Sequence, residues 1–309
     1  SSPRKPVGSF SSKSKGHLNI LRPLLNSTPA MPDIGFINGQ FLPLEEAKVS
    51  IDDRGFQFGD GVYEVIRTYG GRPFELQAHL TRLQRSAQAL FLPNPYSDEE
   101  WSRYLQRGIE RAGYCEAKIY IQVTRGVAPR DHVFPGAIRP TAVMTIREIH
   151  DVDPRLRQEG VTAITLDDFR WGRCDIKSLN LLANVLARQR AKEAGVFEAI
   201  FVKGGLVTEG SVSNLMVIRG GRLVTEPEGP RILSGVTRTF VLDLARQEGI
   251  PLEERSLSIE ELYLADEVFL TGTTVEILPV ISIDGRSIGV GKPGVLTRRL
   301  YDRFQSCAH

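Results

Sequence analysis

Three cysteines in 309 residues (Cys115, Cys174 and Cys307) are too few, too far apart and odd in number for a disulfide framework. None belongs to a C-x-x-C pair, so no zinc-ligand spacing is available to them. The five histidines, His17, His79, His132, His150 and His309, are scattered and form no H-E-x-x-H, and no metal site is expected. Charge of one sign is missing as well. Lys plus Arg is 39 and Asp plus Glu is 37, a net charge of +2, so no basic field marks a nucleic-acid partner. No apolar run approaches the roughly 18 residues that a membrane-spanning helix needs. What remains is 41% hydrophobic and 25% charged residues, the balance of a globular chain long enough for two domains or one large α/β domain. The cysteine pattern fits a reducing compartment, and the cytoplasm is expected.

Acids are absent from the first thirty residues, which hold seven serines, five Lys or Arg and four prolines. Such a composition buries little, so residues 1–33 are expected to be a disordered extension. An Arg- and Ser-rich, acid-poor stretch also suits an organellar, plastid-like transit segment, and an extension of no function is the plainer alternative. Beyond Asp33 the charges are 34 positive and 36 negative, close to neutral.

From Ile34 the pattern is regular. Phe36 to Phe41 carries Asn38-Gly39 at its centre and reads as a hairpin. Val62 to Tyr69 is strand-like, and Gly70-Gly71 turns it into a second strand from Arg72 to Leu76. Leu80, Leu83, Ala87 and Leu90 then recur at helical spacing, and Ser97 or Asp98 caps a further helix ending before Gly113. Lys118–Val123 and Thr141–Ile146 are strands, which makes residues 34–149 an α+β domain. A linker is expected at 150–154, followed by a larger domain over 155–309. That domain reads as strand Val161–Leu166, helix Ser178–Ala194, strands Ala199–Val202 and Leu215–Ile218, helix Val236–Glu248 and strand Glu267–Thr271.

Four segments carry side chains suited to chemistry. In Arg170 to Asn180, Ser178 reads as an N-cap with Leu179, Leu182, Ala183 and Leu186 as the apolar stripe behind it. Lys177 would then sit at a helix N-terminus near Arg170 and Arg173. Dipole, like charge and burial would together lower its pKa and favour a neutral amine able to form a Schiff base. A solvated surface lysine is the plainer reading of any single lysine. In Thr208 to Asn214, Glu209 sits in a polar turn and could hold a protonated ring nitrogen. In Leu233 to Arg238, Gly235 precedes a helix whose first N–H groups, with the Thr237 hydroxyl, could cradle a phosphate. The turn Thr271-Gly272-Thr273-Thr274 offers further hydroxyls, and Arg82 offers a counter-charge. In Thr124 to His132, Arg130 and His132 lie two apart on an extended loop, would point the same way and could bind a carboxylate. Taken singly, each of these also suits an ordinary loop or surface.

Together they resemble the fold-type-IV, or class IV, pyridoxal-phosphate enzymes, the group of D-amino-acid and branched-chain aminotransferases and aminodeoxychorismate lyase. The resemblance runs from about Phe36 to Phe304. Arg54-Gly55-Phe56-Gln57-Phe58-Gly59-Asp60-Gly61-Val62-Tyr63-Glu64 is similar to the group's early signature. Arg173 to Asn180, Thr208-Glu209-Gly210 and Leu233 to Arg238 follow in the group's order. Within it the chain looks most like bacterial D-amino-acid aminotransferases, on account of Pro129-Arg130-Asp131-His132.

The resemblance implies a two-domain fold with a mixed, β-barrel-like sheet in the larger domain. It implies pyridoxal 5'-phosphate as cofactor, held as a Schiff base by Lys177, which also moves the substrate proton. Glu209 would face the ring nitrogen. Arg82, Val236, Thr237 and Thr273 would hold the phosphate, Ser213 would steady the ring region, and Leu233 would also bind the cofactor. Tyr63, Arg130 and His132 would trap the substrate α-carboxylate, the last two from a neighbouring subunit, which implies a homodimer. The implied reaction is transamination of D-alanine or D-glutamate with 2-oxoglutarate or pyruvate as acceptor. Phe56 stands where relatives often carry Tyr, and Gly272 stands where a hydroxyl would contact phosphate, leaving more to Thr273. Branched-chain L-amino-acid transfer and the lyase reaction are alternatives within the group, and a catalytically silent binding or scaffold protein is the alternative outside it.

Overall fold

The structure is a computed structural model that describes residues 33–308, so the expected extension, apart from Asp33, lies outside the described residues. Six strands form the first sheet: β1 (Ile34–Ile37), β2 (Gln40–Pro43), β3 (Gly61–Tyr69), β4 (Arg72–Pro73), β5 (Ala117–Thr124) and β6 (Thr141–Glu148). Their spatial order is β2-β1-β6-β5-β3-β4, and every pairing is antiparallel. Asn38 and Gly39 take φ of 48° and 95°, so the expected hairpin closes on two residues in the left-handed region. Three helices accompany this sheet: α1 (Arg54–Phe58), α2 (Leu76–Ala89) and α3 (Asp98–Ala112). Ser97 and Glu100 form a full capping box at the start of α3, and Gly113 ends it at φ 70°. The second strand of the Gly70-Gly71 hairpin stops at Pro73, earlier than expected, because Leu76 already opens α2. Leu80, Leu83 and Ala87 of α2 and Trp101, Leu105 and Ile109 of α3 bury against Val62, Ile66, Ile121 and Met144 of the sheet.

The second sheet is built from β7 (Val161–Asp167), β8 (Glu198–Lys203), β9 (Leu206–Gly210), β10 (Asn214–Arg219), β11 (Arg222–Thr225), β12 (Leu252–Glu254), β13 (Leu257–Ser258), β14 (Glu267–Gly272), β15 (Glu276–Ile283) and β16 (Arg286–Ser287). The order is β12-β11-β10-β14-β15-β7-β8-β9-β13, with β16 on β15. It is a mixed sheet, parallel at β11–β12, β15–β7 and β7–β8 and antiparallel elsewhere. Val224 of β11 and Val207 and Leu257 of β9 and β13, from opposite ends of that order, share one apolar cluster. A flat sheet of this width could not bring its ends to one core, so the sheet is curled into a half-barrel. Helices α4 (Pro154–Glu159), α5 (Leu182–Glu193), α6 (Val236–Gln247), α7 (Ile259–Tyr263) and α8 (Val295–Ala308) complete the fold. Val241, Leu242 and Ala245 of α6 pack with Leu300 and Phe304 of α8 over Met216, Phe269 and Ile277 of the sheet. Among the described residues, no helix is long and apolar enough to cross a membrane.

Candidate active site

A cavity of about 780 Å³ takes its walls from β3, α2, the segment before α5, β9, the start of α6 and the β14–β15 turn. Nine of the eleven residues expected to hold cofactor or substrate line it: Tyr63, Arg82, Lys177, Glu209, Ser213, Leu233, Val236, Thr237 and Thr273. Arg130 and His132 do not.

Lys177 is not at a helix N-terminus. The helix expected from Ser178 begins at Leu182, and its N-cap, Leu181, offers no side-chain cap. The reason lies in strand β3, which annexes the segment. The Tyr63 N–H donates to the Lys177 carbonyl at 3.0 Å, the Leu179 N–H donates to the Gly61 carbonyl at 3.0 Å, and Val62 bridges Ser178. Backbone groups committed to a neighbouring strand cannot also enter a helix ladder. Arg173 pairs with Asp175 and Arg170 with Asp168, and neither is the like charge that bears on the amine. Burial is the main cause that lowers the Lys177 pKa, to about 8, and the like charge comes from Arg82. The amine lies 4.3 Å from the centre of the Tyr63 ring. Burial pushes the Tyr63 hydroxyl up to about 12, so it stays protonated through the neutral range.

Glu209 is on strand β9 rather than in a turn. Its carboxylate accepts from the Asn214 side-chain amide at 2.9 Å and from the Leu233 N–H at 3.1 Å, and it pairs with Arg170. Burial raises its pKa to about 7, and Arg170 and the Leu233 N–H oppose any further rise. Arg170 is itself fixed by Asp168, which accepts from its Nη2 at 2.8 Å. Ser213 lines the cavity, but its hydroxyl donates to the fully buried Glu198 at 2.8 Å.

The start of α6 is suited to an anion. Gly235 is the N-cap of α6, with Val236 and Thr237 buried on its first turn, as expected from the sequence. A Cβ on Gly235 would overlap the Asn214 amide oxygen, so this close approach requires glycine. Arg82 reaches the same place from α2. Glu64, with no exposed surface, accepts from Arg82 Nε at 2.7 Å and Nη2 at 2.8 Å, and its second oxygen meets His79 Nδ1 at 2.7 Å. Burial alone would raise the Glu64 pKa, but the Arg82 charge and these hydrogen bonds hold it well below the usual carboxylate range. Burial lowers the His79 pKa. The Thr273 hydroxyl donates to the Val65 carbonyl at 3.4 Å, and the Thr271 hydroxyl is buried without a partner among the described residues. A helix N-terminus, a fixed guanidinium and an orphaned buried hydroxyl lining one cavity suit a phosphate group. Glu64, His79, Arg170 and Asn214 were given no cofactor or substrate role from the sequence, whereas Thr271 was offered among the hydroxyls of the Thr271–Thr274 turn. Glu64 meets His79 and Arg82 across 15 and 18 residues, beyond the reach of a local pattern, whereas Arg170 and Asn214 lie within the segments singled out around Lys177 and Glu209.

Arg130 and His132 are exposed and meet around Phe58. The Arg130 guanidinium lies 4.5 Å from that ring's centre and the His132 ring 5.2 Å from it. Arg54 holds their loop by donating to the backbone carbonyls of Asp131, His132 and Val133. Among the described residues, no group of three or more His, Cys, Asp or Glu is arranged to hold a metal ion.

Fold and site define a class. The sequence model of the family described as amino-transferase class IV matches residues 61–283, and the chain belongs to that family. The chain is 45% identical over 269 residues to a D-alanine aminotransferase of Bacillus licheniformis, covering 87% of this chain and 95% of that one. It is 44% identical to a D-alanine aminotransferase of Listeria monocytogenes, covering 87% of this chain and 93% of that one. Among solved structures it is similar to a branched-chain amino acid aminotransferase of Escherichia coli. That likeness has a TM-score of 0.85 at 28% identity, covering 89% of this chain and 94% of the other.

Proposed function

We propose that the chain is a pyridoxal-phosphate-dependent D-amino-acid aminotransferase of the D-alanine type, acting on D-alanine and D-glutamate with 2-oxoglutarate or pyruvate as acceptor. One observation carries the reading: a depressed amine, Lys177, a buried acid, Glu209, and an anion-binding helix end share a single cavity. These match the three ends of the cofactor. Lys177 would hold its aldehyde carbon, and Glu209 its ring nitrogen, with Leu233 and Ser213 beside the ring. Arg82, the Val236 and Thr237 N–H groups and the hydroxyls of Thr237, Thr271 and Thr273 would hold its phosphate. When bound, pyridoxal phosphate supplies a carbon that bonds amines and a ring that takes up the electron pair left at a deprotonated substrate Cα.

The residues of the chain then manage protons and orientation. Lys177, near 8, is neutral often enough at physiological pH to take the Cα proton and to return it elsewhere. Glu209, held between Arg170 and Asn214, keeps a proton on the nitrogen it faces. Tyr63, still protonated, donates to the substrate carboxylate. Arg130 and His132 complete that carboxylate site from a second copy of the chain, so a homodimer is part of the proposal. In support, they sit on an outward face with the exposed apolar residues Phe56, Val127 and Val133, a surface suited to association. A carboxylate clamped on one side lets only one enantiomer aim its Cα–H at Lys177. The cytoplasm is the proposed location, in keeping with three free cysteines.

L-branched-chain transfer is the second reading, favoured by the similarity to the Escherichia coli enzyme. A coupled assay of D-alanine, L-alanine and L-leucine with 2-oxoglutarate as acceptor separates the two. Turnover of D-alanine alone is expected, with none after Lys177→Ala. Turnover of L-leucine without D-alanine selects the second reading.

A further inference from the structure

The threonine turn of the cavity ends on a residue in an unusual conformation. The β14–β15 hairpin pairs Gly272 with Glu276 across a tight loop, and Glu276 has φ 56°. Short hairpin loops commonly close on a residue in the left-handed region, where glycine is the usual choice. A glutamate there must be held by its side chain.

Glu276 is 3% exposed, and its carboxylate has four partners. The Tyr69 hydroxyl donates to it at 2.6 Å, and Arg67 Nη1 lies 3.1 Å away. Arg157 Nη2 donates at 2.7 Å and the Gln305 amide at 2.9 Å. Arg157 Nη1 also donates to the carbonyls on either side, Val275 at 2.9 Å and Ile277 at 2.7 Å. One guanidinium thus grips three consecutive residues. Arg67 is anchored in turn by Asp151 and Glu116.

The same strand serves Arg82 as well. Strand β3 supplies Arg67 and Tyr69 to Glu276, the Val65 carbonyl to Thr273 and Glu64 to Arg82. We propose that Glu276, gripped by Arg67, Tyr69, Arg157 and Gln305, is a positioning residue that fixes the Thr271–Thr274 turn against β3 so that its hydroxyls meet the cofactor phosphate. The inference rests on the reading of the cavity as a pyridoxal-phosphate site and adds the device that shapes its phosphate end.

The test compares affinities of the cofactor-free full-length chain for pyridoxal phosphate and for pyridoxal, which lacks only the phosphate. Binding is read by visible absorbance and folding by thermal melting. Glu276→Gly removes the four contacts while giving the backbone the residue its φ favours. It should reduce the preference for pyridoxal phosphate over pyridoxal about tenfold, the weight of one charge-assisted hydrogen bond, and leave pyridoxal affinity as it was. Glu276→Gln keeps the shape, removes the charge and should lose part of that preference, so it decides the matter if the glycine variant does not fold. A preference equal to wild type in the folded variants, whether both affinities fall or neither does, overturns the role. A wild type that binds both aldehydes equally refutes the phosphate reading of the cavity, and this inference with it.

Discussion

Replacing Lys177 by Met should stabilise the cofactor-free protein while abolishing its activity. Burial, with Arg82 adding like charge, lowers the amine from 10.5 to about 8. Each unit corresponds to about 1.36 kcal/mol, so the folded state carries a penalty of roughly 3 kcal/mol for the charged amine. The sign follows from proton binding. Between pH 8 and 10.5 the unfolded chain binds more protons at this site than the folded one, so wild-type stability rises with pH across that window. Below it the penalty is fully present. Methionine has similar length, carries no charge and can lie against the Tyr63 ring. For a chain of this size the variant should melt about 5 °C above wild type near pH 7. The gap should shrink to about half near pH 9.5, where the wild-type amine is already neutral in the folded state. Thermal melts of both cofactor-free proteins at the two pH values, beside an assay with D-alanine, check this. Equal melting at pH 7, or a gap indifferent to pH, would refute the account of a desolvated amine held ready as a base.

Arg130→Ala should raise KM for D-alanine on the order of tenfold or more with a smaller effect on kcat, because a charge-assisted contact to a carboxylate contributes about 1.5–3 kcal/mol. Steady-state kinetics decide, and an unchanged KM would move the carboxylate site elsewhere. Glu64→Gln leaves Arg82 buried without its ion partner. It should cost ~3 kcal/mol of stability, read by denaturant melts, and weaken pyridoxal phosphate binding. A variant equal to wild type in both would show that Arg82 does not depend on Glu64.

Local signals were legible where their determinants lie within a few residues. The Asn38-Gly39 hairpin, the helix capped at Ser97 or Asp98, with Ser97 the cap observed, and the helix after Gly235 are of this kind. The apolar stripe from Leu179 misled for a complementary reason. Its spacing is helical, but β3 claims the backbone around Lys177 and delays the helix to Leu182. A strand more than a hundred residues away in sequence leaves no trace in the local pattern.

The order and type of the candidate site residues, and through them the family, were determined by the sequence itself, because a lysine, an acid and a glycine-led helix start are covalent facts of the chain. Which charges face which groups was decided only by tertiary structure. Arg82 rather than Arg170 or Arg173 lies near the Lys177 amine, and Arg170 turns instead to Glu209, 39 residues on. Tyr69 meets Glu276 across 207 residues. Electrostatic energy depends on distance and burial, and both are properties of the folded chain.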